Sequence, residues 1–306
     1  MVAIASRTLA SAQTAAKALG IARAYGSYEE LLADAAVEVI YNPLPNHLHV
    51  PLTLAAVHAG KPVLCEKPMA ISAAELDLLR PFATQVHIAE ALMVRHHPQW
   101  SEVRNLVRGG AIGELRFMQE PFSYYNVEAD NIRNRADVGG GALYDIGCYA
   151  IAAGRWFFEA DPQRAIAGID RDPAFKTDSL ASGVLDFGAA RQFVFTVSTQ
   201  TARYQHIHLV GTQGRIEIET LFNAPQDAPV RYHVDNNNPL DGRGVRTVLV
   251  PAAAAAADQY QLQGEAFSQA VRKLPPTAAA LDDAAMKLRV IEVLFASEES
   301  GRFERV

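Results

Sequence analysis

The chain has 306 residues, 49% apolar and 20% charged, the composition of an ordinary globular protein with room for two full cores. Its 28 Lys and Arg against 34 Asp and Glu leave a net charge of −6, which argues against a nucleic-acid or anionic-membrane partner. No apolar run reaches the ~20 residues of a membrane span and no signal-peptide pattern is present, so the expected location is the cytoplasm.

The first ninety residues alternate strand and helix signals. M-V-A-I-A-S reads as a short buried strand; Leu9, Ala12, Ala16 and Leu19 then mark one helical face, closed by Gly20. Ser27 with Glu30 forms a capping box, and V-E-V-I-Y at 37–41 is the next strand. A helix over about 47–59 ends at Gly60, followed by a strand at 62–65. Ser72 with Glu75 caps another helix, and residues 86–92 are a further strand. Strands alternating with helices imply right-handed crossovers and a parallel, doubly wound sheet.

Beyond residue 93 the pattern changes. Residues 97–108 and about 142–158 read as helices, but strands dominate: 114–124, 164–169, 179–187, 191–199, 204–210 and 214–219. Gly188–Ala190 and Gly211–Gly214 supply hairpin turns between them. Residues 236–244 read as a loop, the alanines at 252–257 as a lead into helix, and 259–273 and 280–298 as closing helices. The expectation is a dinucleotide-binding domain over 1–93 and a substrate-binding and oligomerisation domain over 94–306. Cys65 and Cys148 cannot build a disulfide framework, match no metal spacing, and sit in apolar surroundings expected of buried thiols.

Two stretches carry chemistry. V-L-C-E-K-P-M at 63–69 is an apolar strand ending in a carboxylate, an amine and a proline. G-G-G-A-L-Y-D-I-G-C-Y at 139–149 is a Gly-rich turn followed by Asp145 and Tyr149, four apart on one helical face. An amine, a carboxylate and a phenol suit proton transfer from a sugar-like hydroxyl. In this order the residues resemble the Gfo/Idh/MocA family of nicotinamide-dependent oxidoreductases. The resemblance runs from Val2 to the final helices and implies an α/β Rossmann-type doubly wound parallel sheet plus an α+β domain with an open, mostly antiparallel sheet.

One element of that pattern is missing. A Rossmann half begins with a strand running into G-x-G-x-x-G, and the pyrophosphate lies on the following helix N-terminus. The dense glycine clusters here, 109–113 and 139–141, follow no strand of the opening unit. The start resembles the family's second strand, so the first strand, its loop and its helix are expected to be absent, leaving their neighbours unpaired. Three origins account for this: a start placed at an internal Met of a longer protein, a short form that has lost dinucleotide binding, or a trimmed chain.

The resemblance distributes roles over the remaining motifs. Ser6 and Arg7 stand where an acidic residue would meet the ribose 2′-hydroxyl; a hydroxyl and a guanidinium accommodate a 2′-phosphate, so NADP is expected over NAD. A solvated Arg beside a helix-capping Ser is the alternative. Y-N-P-L-P-N-H-L-H at 41–49 resembles the loop beneath the cofactor, with Pro43, Leu44, Asn46 and His49 as contacts; Asn46 can also cap and His49 can be structural. E-K-P makes Lys67 the active-site lysine, oriented by Glu66, with Lys67-Pro68 expected cis; a surface ion pair is the plain alternative.

Arg95, His96 and His97 resemble the stretch near the nicotinamide and substrate, or else form the cap region of a helix begun by Pro98. Tyr149 is the proposed acid/base and Asp145 the anchor, with Tyr125, Asn126 and Arg133 lining the pocket. Tyrosine at 149, where many members carry His, is similar to the branch holding glucose-fructose oxidoreductase, D-xylose dehydrogenase and dimeric dihydrodiol dehydrogenase. The expected reaction is reversible oxidation of a sugar or cyclic polyol, aldose 1-dehydrogenase-like. A trans-dihydrodiol dehydrogenase, a keto-sugar reductase and a non-catalytic sugar-binding protein are the alternatives. No metal is needed and the histidines show no ligand spacing; a homodimer or homotetramer through the C-terminal sheet is expected.

Overall fold

The computed structural model describes residues 1–236, 244–252 and 258–306. The loop expected at 236–244 and the alanines at 252–257 fall largely outside them. The chain divides into two compact units, residues 1–70, 74–91 and 267–284 in the first and 71–73, 92–266 and 285–306 in the second.

The first unit alternates short parallel strands with helices: β1 (Ala3–Ala5), α1 (Leu9–Leu19), β2 (Arg23–Tyr25), α2 (Tyr28–Ala33), β3 (Ile40–Asn42), α3 (His49–His58), β4 (Val63–Glu66), α4 (Ala73–Asp77) and β5 (Ile88–Ala91). Helix ends follow local chemistry. The Thr8 hydroxyl accepts from the Ser11 N–H at 3.2 Å, so Thr8 rather than Ser6 caps α1, and Gly20 closes it at φ 67°. Ser27 accepts from the Glu30 N–H at 3.2 Å while Glu30 accepts from the Gly26 N–H at 3.1 Å.

β1 pairs parallel with β2, and β3, β4 and β5 form a separate parallel ladder. The parallel strands therefore make two ladders rather than one sheet, and among the described residues β1 and β3 each have one unpaired edge. α7 (Gln259–Lys273) brings Phe267 and Val271, four residues apart, onto Leu64 of β4 and Ala91 of β5. Residues 267–284 thus pack with the parallel unit, whereas the sequence pattern puts everything after 93 in the second domain. The helical face of Phe267 and Val271 is apolar, but nothing local says which sheet it covers.

The second unit is a ten-stranded sheet with helices. Its elements are α5 (Pro98–Arg108), β6 (Leu115–Tyr125), α6 (Cys148–Phe158), β7 (Arg164–Arg171), β8 (Asp178–Asp186), β9 (Gln192–Ser198), β10 (Gln200–Gln205), β11 (Ile207–Gly211), β12 (Arg215–Ile218), β13 (Val230–Asp235), β14 (Val245–Val250), α8 (Ala279–Ser300) and β15 (Glu304–Arg305). The order is β14-β13-β12-β11-β6-β9-β8-β7-β15, with β10 also on β6; β6 and β9 are parallel and every other pair antiparallel. Alternation decides the faces. Met118, Phe122 and Phe195 share one apolar core with Trp100 of α5, Ile151 of α6 and Leu294 of α8. The opposite face leaves Phe117, Val194 and Leu249 exposed. No helix among the described residues is long and apolar enough to cross a membrane.

Candidate active site

In the first unit the expected residues fall at the carboxyl ends of three parallel strands, where ligands of open α/β sheets bind. Ser6 follows β1 and donates its N–H to Tyr25 O at 3.2 Å, extending that ladder. Arg7 is exposed and has no ion pair among the described residues, which leaves a guanidinium available to an anion. After β3, Asn42 turns its amide to His49 O at 3.1 Å and accepts from the Leu44 N–H at 3.3 Å. Pro43 and Leu44 thus form a braced turn, and Asn46 opens the short helical turn Asn46–Leu48.

His49 takes the surroundings of its structural alternative. It is 1% exposed, with Nδ1 2.7 Å from Pro68 O and Nε2 2.5 Å from Leu44 O. Burial pushes its imidazole pKa down, against the two carbonyls, which favour the protonated ring. With both nitrogens on backbone, the ring ties the β3 turn to the β4 turn and has none left for a cofactor.

Lys67, half-buried, follows β4, and its bond to Pro68 is cis as expected. Glu66 accepts from the Tyr41 hydroxyl at 2.5 Å and from the Lys67 N–H at 3.2 Å, so it fixes the backbone of this turn. Tyr41 went unnamed in the sequence reading. These three turns line the carboxyl ends of the parallel strands, where open α/β sheets bind nucleotides. None of them is the glycine-rich turn that wraps a pyrophosphate.

The second unit gathers Arg133, Asp145 and Tyr149 around the start of α6. The helix opens with a wide π-type turn, Leu143–Gly147, which carries Asp145. Such turns cluster at functional sites. Asp178 Oδ2 accepts from the Leu143 N–H at 2.6 Å and caps this turn. The glycine triplet is sterically required: a Cβ on Gly141 (φ 120°) would stand 1.9 Å from Asp178 Oδ1, and one on Gly140 2.6 Å from Arg133 O. That close approach holds the Arg133 segment against the helix start.

Asp145 accepts from the Tyr124 hydroxyl at 2.6 Å and from Arg133 Nε at 3.0 Å. The carboxylate in turn pushes the Arg133 pKa up, and the Tyr149 phenol acts on Arg133 in the same direction. Tyr149 is 7% exposed; its ring packs against Phe122 and Phe222, and its hydroxyl donates to Met93 Sδ at 3.3 Å.

Three further expectations separate from this cluster. His97 is buried and its Nδ1 accepts from the Gln99 N–H at 3.3 Å, so it caps α5 ahead of Pro98 rather than lining a pocket. Burial pushes its pKa down, and that of His96 likewise. Arg95 lies over the Trp156 ring, 5.7 Å from its centroid. Tyr125 ends β6 at 67% exposure, while its neighbour Tyr124, which the sequence reading passed over, reaches Asp145.

Residues 1–94 match the model of an oxidoreductase family with an NAD-binding Rossmann fold, and residues 100–217 match the GFO/IDH/MocA C-terminal domain. The chain belongs to the GFO/IDH/MocA oxidoreductase family. It is 44% identical over its whole length to an uncharacterized oxidoreductase of Rhizobium meliloti, covering 91% of that protein. It is 34% identical over 98% of its length, and 90% of the relative, to D-xylose 1-dehydrogenase (NADP(+)) 2 of Haloferax volcanii. Among solved structures it resembles the 3-ketoreductase KijD10 of Actinomadura kijaniata in complex with NADP and TDP-benzene. There the TM-score is 0.88 and the identity 27%, over 97% of this chain and 89% of that one.

Proposed function

We propose that this oxidoreductase uses NADP to oxidise a sugar or cyclic polyol reversibly, in the manner of an aldose 1-dehydrogenase. The observation that carries the reading is Asp145, held by Tyr124 and Arg133 in the π-type turn that leads into Tyr149. Bound NADP supplies the hydride acceptor. Asp145 takes hydrogen bonds from neighbouring substrate hydroxyls and fixes the ring. Tyr149, as the phenolate, takes the proton of the hydroxyl being oxidised. Lys67 presents a cation to the substrate oxygen, and Glu66 keeps its turn in place. Ser6 and Arg7 receive the 2′-phosphate, and the Pro43–Leu44 turn supports the cofactor. The similarity to an NADP-dependent xylose dehydrogenase supports this assignment.

A reductase of a nucleotide-linked keto-sugar is the second reading, favoured by the likeness to KijD10. The test is a steady-state assay of the full-length polypeptide: NADP with pentoses, hexoses and trans-diols, and NADPH with a dTDP-keto-sugar. Oxidation of aldoses with NADP preferred over NAD is the expected result. Turnover only of the keto-sugar establishes the second reading. Sugar binding without turnover of any of these overturns both and leaves a binding protein.

A further inference from the structure

A second set of chemistry-bearing residues stands on the open face of the antiparallel sheet, apart from every group assigned above. His206 precedes β11 and His208 follows two residues on, so strand geometry turns both imidazoles to one face. β12 runs antiparallel beside β11 and sets Glu217 directly opposite His208. The two Nε2 atoms are 2.7 Å apart, and Glu217 oxygens lie 3.2 Å from His206 Nε2 and 3.8 Å from His208 Nε2. All three ligand atoms fall within 4.8 Å of one another.

The local charge balance distinguishes this trio from its neighbours. Glu219, on the same face, is satisfied by Arg231 at 2.9 Å and His233 at 2.9 Å. Glu217 has no Lys or Arg partner among the described residues, and its ion-pair neighbours are the two imidazoles. Glu217 is thus left without the counter-charge that Arg231 gives Glu219.

Geometry selects the kind of cation. Tetrahedral bonds of ~2.0–2.2 Å place ligand atoms about 3.3–3.5 Å apart. The two Glu217 separations bracket that spacing, and the imidazole pair reaches it by opening about 0.6 Å. His208, whose side chain is 38% exposed, has room to swing. Two imidazoles disfavour Mg²⁺ and Ca²⁺, which take oxygen ligands, and favour Zn²⁺ and its late first-row neighbours. We propose that His206, His208 and Glu217 bind one such divalent cation, with water as the fourth ligand, clamping β11 to β12. The site is independent of the oxidoreductase reading, whose residues it does not use.

Chelator-stripped full-length protein titrated with Zn²⁺ in a calorimeter tests this. We expect one ion per chain, a rise in melting temperature with Zn²⁺, and no heat with Mg²⁺. His208→Gln and Glu217→Gln should each weaken Zn²⁺ binding by about 100-fold or more and abolish the thermal shift. His233→Gln, which removes an imidazole one strand further along the sheet, should bind as the parent does. Circular dichroism establishes that each variant is folded; the substituted side chains are only partly buried, so their loss opens no core. Absence of Zn²⁺ binding by the parent overturns the proposal. So does binding that survives both single substitutions, or binding that His233→Gln removes equally.

Discussion

Asp145 and Tyr149 come from one motif, yet they meet different surroundings, and those surroundings separate their expected roles. Tyr149 is enclosed by aromatic rings with its hydroxyl on a weak sulfur acceptor, which releases it easily to a better partner. Tyr149→Phe keeps that packing and removes the proton carrier. Turnover should fall by about 10²- to 10⁴-fold with NADPH affinity unchanged in a fluorescence titration. Undiminished turnover would sink the acid/base assignment. Tyr124 acts through Asp145. Tyr124→Phe loses a hydrogen bond to a carboxylate worth about 1.5–3 kcal/mol, which should appear as a rise in KM of about 10- to 100-fold. Because Tyr124 is a positioning residue, kcat should stay within a few-fold; a fall in kcat with KM constant contradicts that role. Lys67, Asp145 and Tyr149 were legible in the sequence because their motifs are distinctive. Tyr124 was legible too, through period two along β6: Met118 and Phe122 are buried, and Tyr124 continues their face. For His49 and His97 the contacts favour the structural alternatives, which the sequence left open because imidazoles that satisfy backbone groups have no signature of their own.

At the level of elements, the start of α6 depends on one contact between segments far apart in the chain. Asp178 opens β8, caps the turn through Leu143, and fills the space beside Gly141. Gly141→Ala sets a Cβ against the Asp178 carboxylate and strains the backbone at φ 120°, so a thermal melt should show the protein destabilised by about 3 kcal/mol. Burial pushes the Asp178 carboxyl up to about 6. The folded chain then keeps a proton that the unfolded chain, titrating near ~3.9, has lost. Between those values stability should fall as pH rises, by up to about 1.4 kcal/mol per pH unit. Asp178→Asn retains an acceptor for the Leu143 N–H and should flatten that slope; an unchanged slope in denaturant titrations from pH 4 to 6 refutes the assignment. Sequence pattern located α1, α5, α6 and the long strands β6, β8 and β9, whose periods extend over enough residues to register. It missed β2, three residues long, and the β13–β14 pair, although Val230, Tyr232 and Val234 alternate with polar residues along β13. The π-type turn was invisible, since nothing in L-Y-D-I-G distinguishes it from an α-helical turn.

For the molecule as a whole, the decisive surface is the outer face of the ten-stranded sheet. Strand register lays one row across it, from Val184 through Val194, Gln119, His208, Glu217 and His233 to Thr247, with no helix residue among the directly opposed partners. Phe117 at 44% and Val194 at 38% exposure stand on this face, diagonal to one another across β6 and β9, and Leu249 on β14 is 63% exposed. Apolar side chains in the middle of a sheet face remain costly in water, and a second copy related by a two-fold axis would cover them with the same residues. We expect light scattering on the purified protein to give twice the chain mass, or four times if dimers pair. Val194→Glu places a carboxylate at that centre and, by symmetry, opposite a second one. Like charges so apposed cost several kcal/mol, enough to release monomers at micromolar concentration. The substituted side chain lies outside the core that Met118, Phe195 and Trp100 build on the other face, so the monomer should retain its far-ultraviolet spectrum. A Val194→Glu protein that stays dimeric places the interface elsewhere on the molecule.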